Sequence, residues 1–334
     1  MSTLTFSERD ICMSKFEQIM RLSGYSRATV SRVINNSPNV NPDTREKILQ
    51  IMNQLDYAPN RNAVALSKGR TQQIGIVIEH LHETTISFLN HFIQAAVGYG
   101  FQTIIYTSQG DKAKELQAFE DLRSKRVDGL LIMTCVNDPG KLSAYCRYGP
   151  IISWQRMRAG QIPSVAMDQG EGYRLGLEHL LAKGFTRIAN AFGRPNSLNT
   201  KSRRLAFEAV MKQRGLPVRR DWYRYEVYGM LDGEQAWRSL AAMKEAPEAV
   251  LCANDYAAAG ILNEARRQHL AIPGELAIIG FDDTDLSASL GITTIHNPIK
   301  EQAQNAFYWI WNIIGDEPLE PLSLSYRLVE RQTS

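Results

Sequence analysis

Ser26-Arg27-Ala28-Thr29-Val30-Ser31-Arg32 sets two guanidinium groups, one bare methyl and three hydroxyls within two helical turns. Val30, Val33 and Ile34 form an apolar stripe at helical spacing, which leaves Arg27, Ala28, Ser31 and Arg32 off that stripe. An arginine facing outward from such a helix can donate two parallel hydrogen bonds to guanine O6 and N7. That pairing is worth about 1–3 kcal/mol of discrimination between bases. Ala28 is small enough to touch a thymine methyl. Ser26, Thr29 and the helix N-terminus suit phosphate oxygens. The same residues also fit a three-helix domain with a solvated basic face.

No other stretch offers competing chemistry. No Gly-x-Gly-x-x-Gly opens a helix after the first strand, and neither a phosphate-binding loop nor a nucleophile elbow is present. His80-Leu81-His82 is the only close histidine pair and reads as solvated loop, with no carboxylate or cysteine at ligand spacing. Cys12, Cys135, Cys146 and Cys252 are far apart and read as free thiols in a reducing compartment. We therefore expect no catalytic residues, no metal and no cofactor; the chain is not read as an enzyme. No run of about 18 apolar residues suggests a membrane span. Glu8, Arg9 and Asp10 interrupt the first residues, which do not read as a secretory signal. The expected location is the cytoplasm, away from membrane.

The basic helix needs neighbouring elements to hold it. A first helix follows Ser14, with Phe16, Ile19, Met20 and Leu22 mostly at helical spacing. Gly24 can end it in the left-handed conformation, Ser26 caps the second helix, and Asn41-Pro42 starts a third. Ile48, Ile51, Met52 and Leu55 give that third helix its buried face. Three short helices with a three-residue first turn describe a helix-turn-helix. Charge agrees. Residues 1–72 hold ten Lys/Arg against six Asp/Glu, whereas the remaining 262 hold 28 against 29. The basic excess lies wholly in the first fifth of the chain and points to a polyanion partner for that part alone.

At 334 residues and 44% apolar, the chain exceeds one typical domain. Beyond residue 72, β-like runs at Ile74–Ile78, Gln102–Tyr106, Gly129–Met133, Ile151–Trp154, Ser164–Met167, Arg187–Ala191, Ala249–Cys252 and Leu276–Gly280 alternate with amphipathic helical stretches. That alternation predicts parallel sheets covered by helices, arranged as two lobes. In such sheets a ligand lies beyond the carboxyl ends of the strands.

The run Ser26-Arg-Ala-Thr-Val-Ser-Arg-Val-Ile-Asn-Asn36 resembles the recognition-helix signature of the lactose/galactose repressor (LacI/GalR) family. Val40-Asn-Pro-Asp-Thr-Arg-Glu-Lys-Ile48 and Leu55-Asp-Tyr-Ala-Pro-Asn60 continue the match. The family usually carries alanine where Met20 and Ser23 stand and a small aliphatic at Tyr25. The resemblance implies an extension over 1–13, a DNA-binding domain over 14–60 and a hinge helix over 61–71. In that hinge Leu66 would wedge into a minor-groove step, with Asn60 and Ala63 facing the same groove. Asn35 and Tyr57 complete the expected DNA contacts.

In the body, Val127-Asp-Gly-Leu-Leu-Ile132, Asp168, Gly176-Leu-Glu-His-Leu180, Arg203-x-x-Ala-Phe207, Ala253-Asn-Asp255 and Ile279-Gly-Phe-Asp-Asp283 are similar to the family's sensor domain. The fold implied is a small all-α helix-turn-helix head on an α/β, periplasmic-binding-protein-like body of two parallel-sheet lobes. One lobe spans 72–166 and 293–325, the other 167–292 and 326–334. Asp168, Arg203, Asn254, Asp255 and Asp282 are expected to line the cleft, with Phe88, Trp154 and Tyr228 as stacking surfaces for a sugar ring. Gln155-Arg156 replaces the family's usual Asp-Arg, and Gln169 its usual Asn.

The function expected is that of a ligand-controlled transcription regulator, a repressor. Its partners would be double-stranded DNA with a pseudo-palindromic operator, a carbohydrate-like small-molecule effector and a second copy of itself. Residues 326–334 are too short for the added tail that makes some relatives tetramers. A solute-binding protein without regulatory role is the alternative that the body alone would permit.

Overall fold

Ser14 starts the first helix by a reciprocal cap. Its hydroxyl accepts from the Glu17 amide at 3.3 Å, while the Glu17 carboxylate accepts from the Ser14 amide at 2.9 Å. The helix, α1 (Lys15–Ser23), ends at Gly24, whose φ of 75° is the left-handed value that glycine tolerates. Ser23 is buried and its hydroxyl receives the Tyr25 amide at 3.3 Å, bracing the turn. Ser26 accepts from the Thr29 amide at 3.3 Å and opens α2 (Arg27–Ile34). Asn41 accepts from the Asp43 amide at 2.8 Å, with Pro42 as the first residue of α3 (Pro42–Gln54). Ile19, Val30, Val33, Ile48, Ile51, Met52 and Leu55 close the core of this head. Tyr25 ties the turn to α3: its hydroxyl accepts from Thr44 Oγ1 at 3.3 Å, and the Lys47 ammonium lies 5.6 Å from its ring centroid.

The structure, a computed structural model, describes residues 13–35, 37–59, 69–81, 83–157 and 162–334. Two compact units meet in the chain between Thr71 and Gln72. In the second unit, β1 (Gln73–Ile78), α4 (Glu83–Gly98), β2 (Gln102–Thr107), α5 (Lys112–Arg123), β3 (Gly129–Ile132), α6 (Pro139–Ser143) and β4 (Ile151–Ser153) build a first lobe. Its strands are all parallel, in the order β2-β1-β3-β4. The second lobe takes α7 (Gln169–Ala182), β5 (Ile188–Ala191), α8 (Leu198–Gln213), β6 (Tyr223–Arg224), α9 (Met230–Ala241) and β7 (Ala249–Cys252). It continues with α10 (Asp255–Arg267), β8 (Ala277–Asp282), α11 (Asp285–Leu290) and β9 (Thr293–His296). The chain then returns α12 (Ile299–Ile314) to the first lobe and β10 (Arg327–Val329) to the second. The second sheet runs β10-β9-β8-β7-β5-β6 and is parallel except where β10 pairs antiparallel with β9. Central strands β3, β5 and β7 are buried throughout, as sheets covered on both faces require.

Two sequence expectations change. Ser164–Met167 forms no strand; Ser164 makes a single bridge to Ser153. Pro163 has no N–H to donate, and the Ser164 hydroxyl takes the Ala166 amide at 3.1 Å, which competes with a ladder. The return to the first lobe falls after His296, not at residue 293, because Thr293–His296 pairs in parallel with β8. From there α12 buries Ile299, Ala303, Phe307 and Ile310 against Ile74, Ile76, Phe88 and Phe92.

The Ser14 cap is local and exposed, so its worth is directly measurable. Ser14→Ala should cost about 1 kcal/mol of head stability, read as a lower denaturant midpoint at unchanged slope in full-length protein. An unchanged midpoint would mean that water replaces the cap.

Candidate functional site

In the head, Ser26, Arg27, Ala28 and Arg32 are exposed at the start and along the outer face of α2, while Val30 and Val33 are buried. The Arg27 guanidinium lies 5.7 Å from the Phe16 ring centroid. Thr29, Ser31, Asn35 and Tyr57 are half-buried. Thr29 Oγ1 lies 3.0 Å from Ser26 Oγ, and Ser31 Oγ accepts from Asn35 Nδ2 at 3.3 Å. Tyr57 packs on the head core. The expected minor-groove residues Asn60, Ala63 and Leu66 lie outside the described residues.

In the body, Asp255 is placed differently from expectation. It is fully buried, and its carboxylate accepts from the Thr284 amide (2.7 Å), Thr284 Oγ1 (2.9 Å) and Thr294 Oγ1 (2.5 Å). A side chain on Gly280 would collide with this carboxylate, so glycine is needed there. Burial pushes the Asp255 carboxyl up from its ordinary range, against the hydrogen bonds that favour the charged form. The helix cap at this point is Asn254, which accepts from the Ala257 amide at 2.8 Å and donates to the Tyr228 carbonyl at 3.1 Å. Asp255 is thus a positioning group. It fixes the turn Asp282-Asp283-Thr284, in which Asp282 and Asp283 hold φ of 104° and 56°. Such values in non-glycine residues store strain and persist only when surroundings hold them. Asp283 is held in turn by Arg331 at 2.7 Å and His296 Nδ1 at 3.0 Å.

Asp282 ends a polar relay that crosses from one lobe to the other. Trp154 Nε1 donates to Gln302 Oε1 at 3.0 Å, and Gln302 Nε2 donates to Asn297 Oδ1 at 2.6 Å. Asn297 Nδ2 then donates to Asp282 Oδ1 at 2.9 Å. Phe88 is fully buried beneath Trp154, with ring centroids 4.4 Å apart, so it supports that indole and offers a ligand no free face. Arg203 is 5% exposed and stacks over the Phe281 ring at 4.4 Å; its Nε has no hydrogen-bond partner among the described residues. Desolvation works against its charge and Asp282 works for it. Tyr228 is half-exposed, with its hydroxyl donating to Glu226 at 2.7 Å. Asp168 caps α7 and accepts both terminal nitrogens of Arg156 at 3.1 Å, along with the Ser202 hydroxyl.

Two cavities open between the lobes. One, of about 650 Å3, has Ser87 and Asn90 on one wall and Asp282, His296 and Asn297 on the other. The second, of about 470 Å3, lies between Asp138, Gln155 and Arg156 of the first lobe and Arg194, Asn196 and Lys201 of the second. Of the expected cleft residues, only Asp282 lines either cavity. Gln155 turns its amide oxygen to the Cys135 amide at 3.0 Å, so this departure from the family pattern does a backbone task. Arg194, Asn196, Lys201, Asn297 and Gln302 were not singled out from sequence. The segment after β5 could have been, since it follows a strand's carboxyl end. Among the described residues no cluster of His, Cys, Asp or Glu could hold a metal ion, and no helix is long and apolar enough to cross a membrane.

Comparison with known proteins matches residues 16–60 to bacterial regulatory proteins of the lacI family and residues 177–334 to a periplasmic binding protein-like domain. The uncharacterized HTH-type transcriptional regulator YkvZ of Bacillus subtilis is 33% identical over 322 residues, covering 96% of this chain and 100% of its own. Among solved structures, the lac repressor dimer bound to operator and the anti-inducer ONPF superposes with a TM-score of 0.82 at 24% identity, covering 96% of this chain and 98% of its own. A LacI family regulator from Lactobacillus casei with bound glucose gives 0.71 at 20% identity, covering 78% and 99%.

Burial pushes the Asp282 carboxyl up to about 6, helped by the charge of Asp255 and opposed by Asn297 and Arg203. The raised value means that the fold favours the neutral acid. Its stabilising contribution is complete below about pH 4, near the unfolded value, and is lost as pH rises through about 6. The difference in Tm between Asp282→Asn and wild type should therefore move in the variant's favour between pH 4 and pH 7. A difference that stays constant across that range would show that Asp282 is ionised throughout.

Proposed function

Since this chain belongs to the lacI family of bacterial regulatory proteins, we propose that it is a sequence-specific DNA-binding repressor whose operator affinity is set by a small molecule bound between the lobes. The observation that carries the reading is one chain holding both a helix with an exposed Arg27–Ala28–Arg32 face and a two-lobe body with cavities lined from both sides.

In this reading Arg27 and Arg32 read base edges in the major groove, and Ser26 and Thr29 meet phosphate. Two copies bind a pseudo-palindrome, as twofold symmetry of a dimer demands, with Leu66 pairs at its centre. The effector is a carbohydrate or a derivative. Asp282 recognises its polar groups from the wall of the larger cavity, and Arg203, Trp154, Tyr228, Asp168 and Asn254 are proposed as further effector-facing groups that line neither cavity in the present lobe arrangement. An effector that prefers one lobe arrangement shifts operator affinity by its differential binding. The protein works in the cytoplasm and has no catalytic role.

Genome-wide footprinting should reveal symmetric protected sites; their absence would end this reading. On such a site, Arg32→Ala should weaken specific binding by about 1–3 kcal/mol while sparing non-specific affinity. A uniform loss on all sequences, with a salt slope smaller by about one, would make Arg32 a phosphate contact instead.

A further inference from the structure

The first residue of α2 is held from outside its own helix. Arg27 is exposed, yet its guanidinium lies over the Phe16 ring of α1, 5.7 Å from the centroid. That is inside the distance of about 6 Å at which a cation is attracted to a ring face. Other cations of the head serve the fold with their donors: Lys15 Nζ donates to the Asp56 carbonyl at 2.7 Å, and Arg45 donates to the Ser37 carbonyl. A ring face attracts charge and uses up no oxygen acceptor, and among the described residues the Arg27 guanidinium makes no hydrogen bond. Glu17, next to Phe16, is committed to α1. Its carboxylate accepts from the Ser14 amide and hydroxyl, both at 2.9 Å, so it does not enclose Arg27 in an ion pair.

Phe16 has the spacing of a core residue, but it is only half-buried, whereas Ile19 in the next turn is fully buried with Val30 and Val33 of α2. That core fixes how α1 crosses α2, and the Ser14–Glu17 cap fixes the turn on which Phe16 stands. The open part of the ring is left to Arg27. Arg32, the other exposed arginine of α2, has no ring contact or hydrogen bond of its side chain among the described residues.

We propose that Phe16 sets the base preference of Arg27. By holding the guanidinium at the start of α2, the ring removes part of the conformational freedom that Arg27 would otherwise lose on meeting a base. The donors stay available for the paired hydrogen bonds to guanine O6 and N7. The gain exists only where Arg27 finds its base, so it appears as discrimination between sequences. Phe16 is a positioning residue that acts through Arg27 and does not itself read DNA. The inference rests on the DNA-reading role of Arg27 proposed above and names what orients it.

The test selects preferred sites from a pool of randomised duplexes with the full chain. Wild type should yield a symmetric site. Arg27→Ala should erase the preference at one base pair in each half, which identifies the pair that Arg27 reads, and Arg32→Ala should erase another. Affinity is then measured on the selected duplex and on one altered at the Arg27 pair in a single half. Phe16→Leu should shrink the ratio of these affinities by about two- to fivefold, the worth of an exposed cation–π contact. Phe16→Tyr, which keeps the ring, should restore it. On the Arg27→Ala background, Phe16→Leu should cause no further loss of affinity for the selected duplex. The Arg32 pair is the internal control, since a disturbed head loses both preferences. An unchanged ratio in Phe16→Leu, an equal loss at the Arg32 pair, a loss that Phe16→Tyr does not restore, or a further loss on the Arg27→Ala background would each overturn the inference and leave sequence-specific binding in place. Failure of the wild type to select any site would overturn that binding and the inference with it.

Discussion

Burying a carboxylate costs several kcal/mol unless donors surround it, and the body is organised around meeting that demand at Asp255. Its three donors come from two places in the chain: the amide and hydroxyl of Thr284 after β8, and the hydroxyl of Thr294 on β9. Gly280 leaves the space. The consequence is a rigid turn that carries Asp282 to the cleft in a backbone conformation it would not adopt alone. One buried charge thus fixes the register of the end of β8, the start of α10 and β9 with respect to one another.

The relay from Trp154 through Gln302 and Asn297 to Asp282 extends that constraint across the lobes. Gln302 and Asn297 are buried, 2% and 4% exposed. Moving one lobe past the other would strand their amides, at about 1–3 kcal/mol for each group left unmade. Small displacements are therefore resisted, and a change of lobe arrangement must exchange one complete set of bonds for another. That is the property a bistable sensor needs.

The head was legible because its signals are local. Ser14, Gly24, Ser26 and Asn41-Pro42 each act within four residues of where they stand. The central strands were legible as continuous apolar runs. β6 and β10 were not, being two and three residues long. Nor was β9, whose Thr293 and Thr294 look polar but are buried, with Thr294 bonded to Asp255 and the Thr293 amide bonded to Thr333 Oγ1. The site was harder for the same reason. Sequence shows an acid after a strand at Asp255, but not that a threonine 39 residues away will consume it. It shows an aromatic at Phe88, but not that Trp154 will lie over it. Residue type reveals capability, and partners distant in sequence decide use.

The path of α12 has a consequence for synthesis on the ribosome. The first lobe's sheet is complete by Ser153, yet its core is closed by Phe307 and Ile310. The head can fold as soon as it emerges, because its contacts are local. The first lobe must instead keep an apolar sheet face uncovered while the whole second lobe is being made. A nascent chain of this design would be most vulnerable over that interval, when the client surface a chaperone recognises is the bare floor meant for α12.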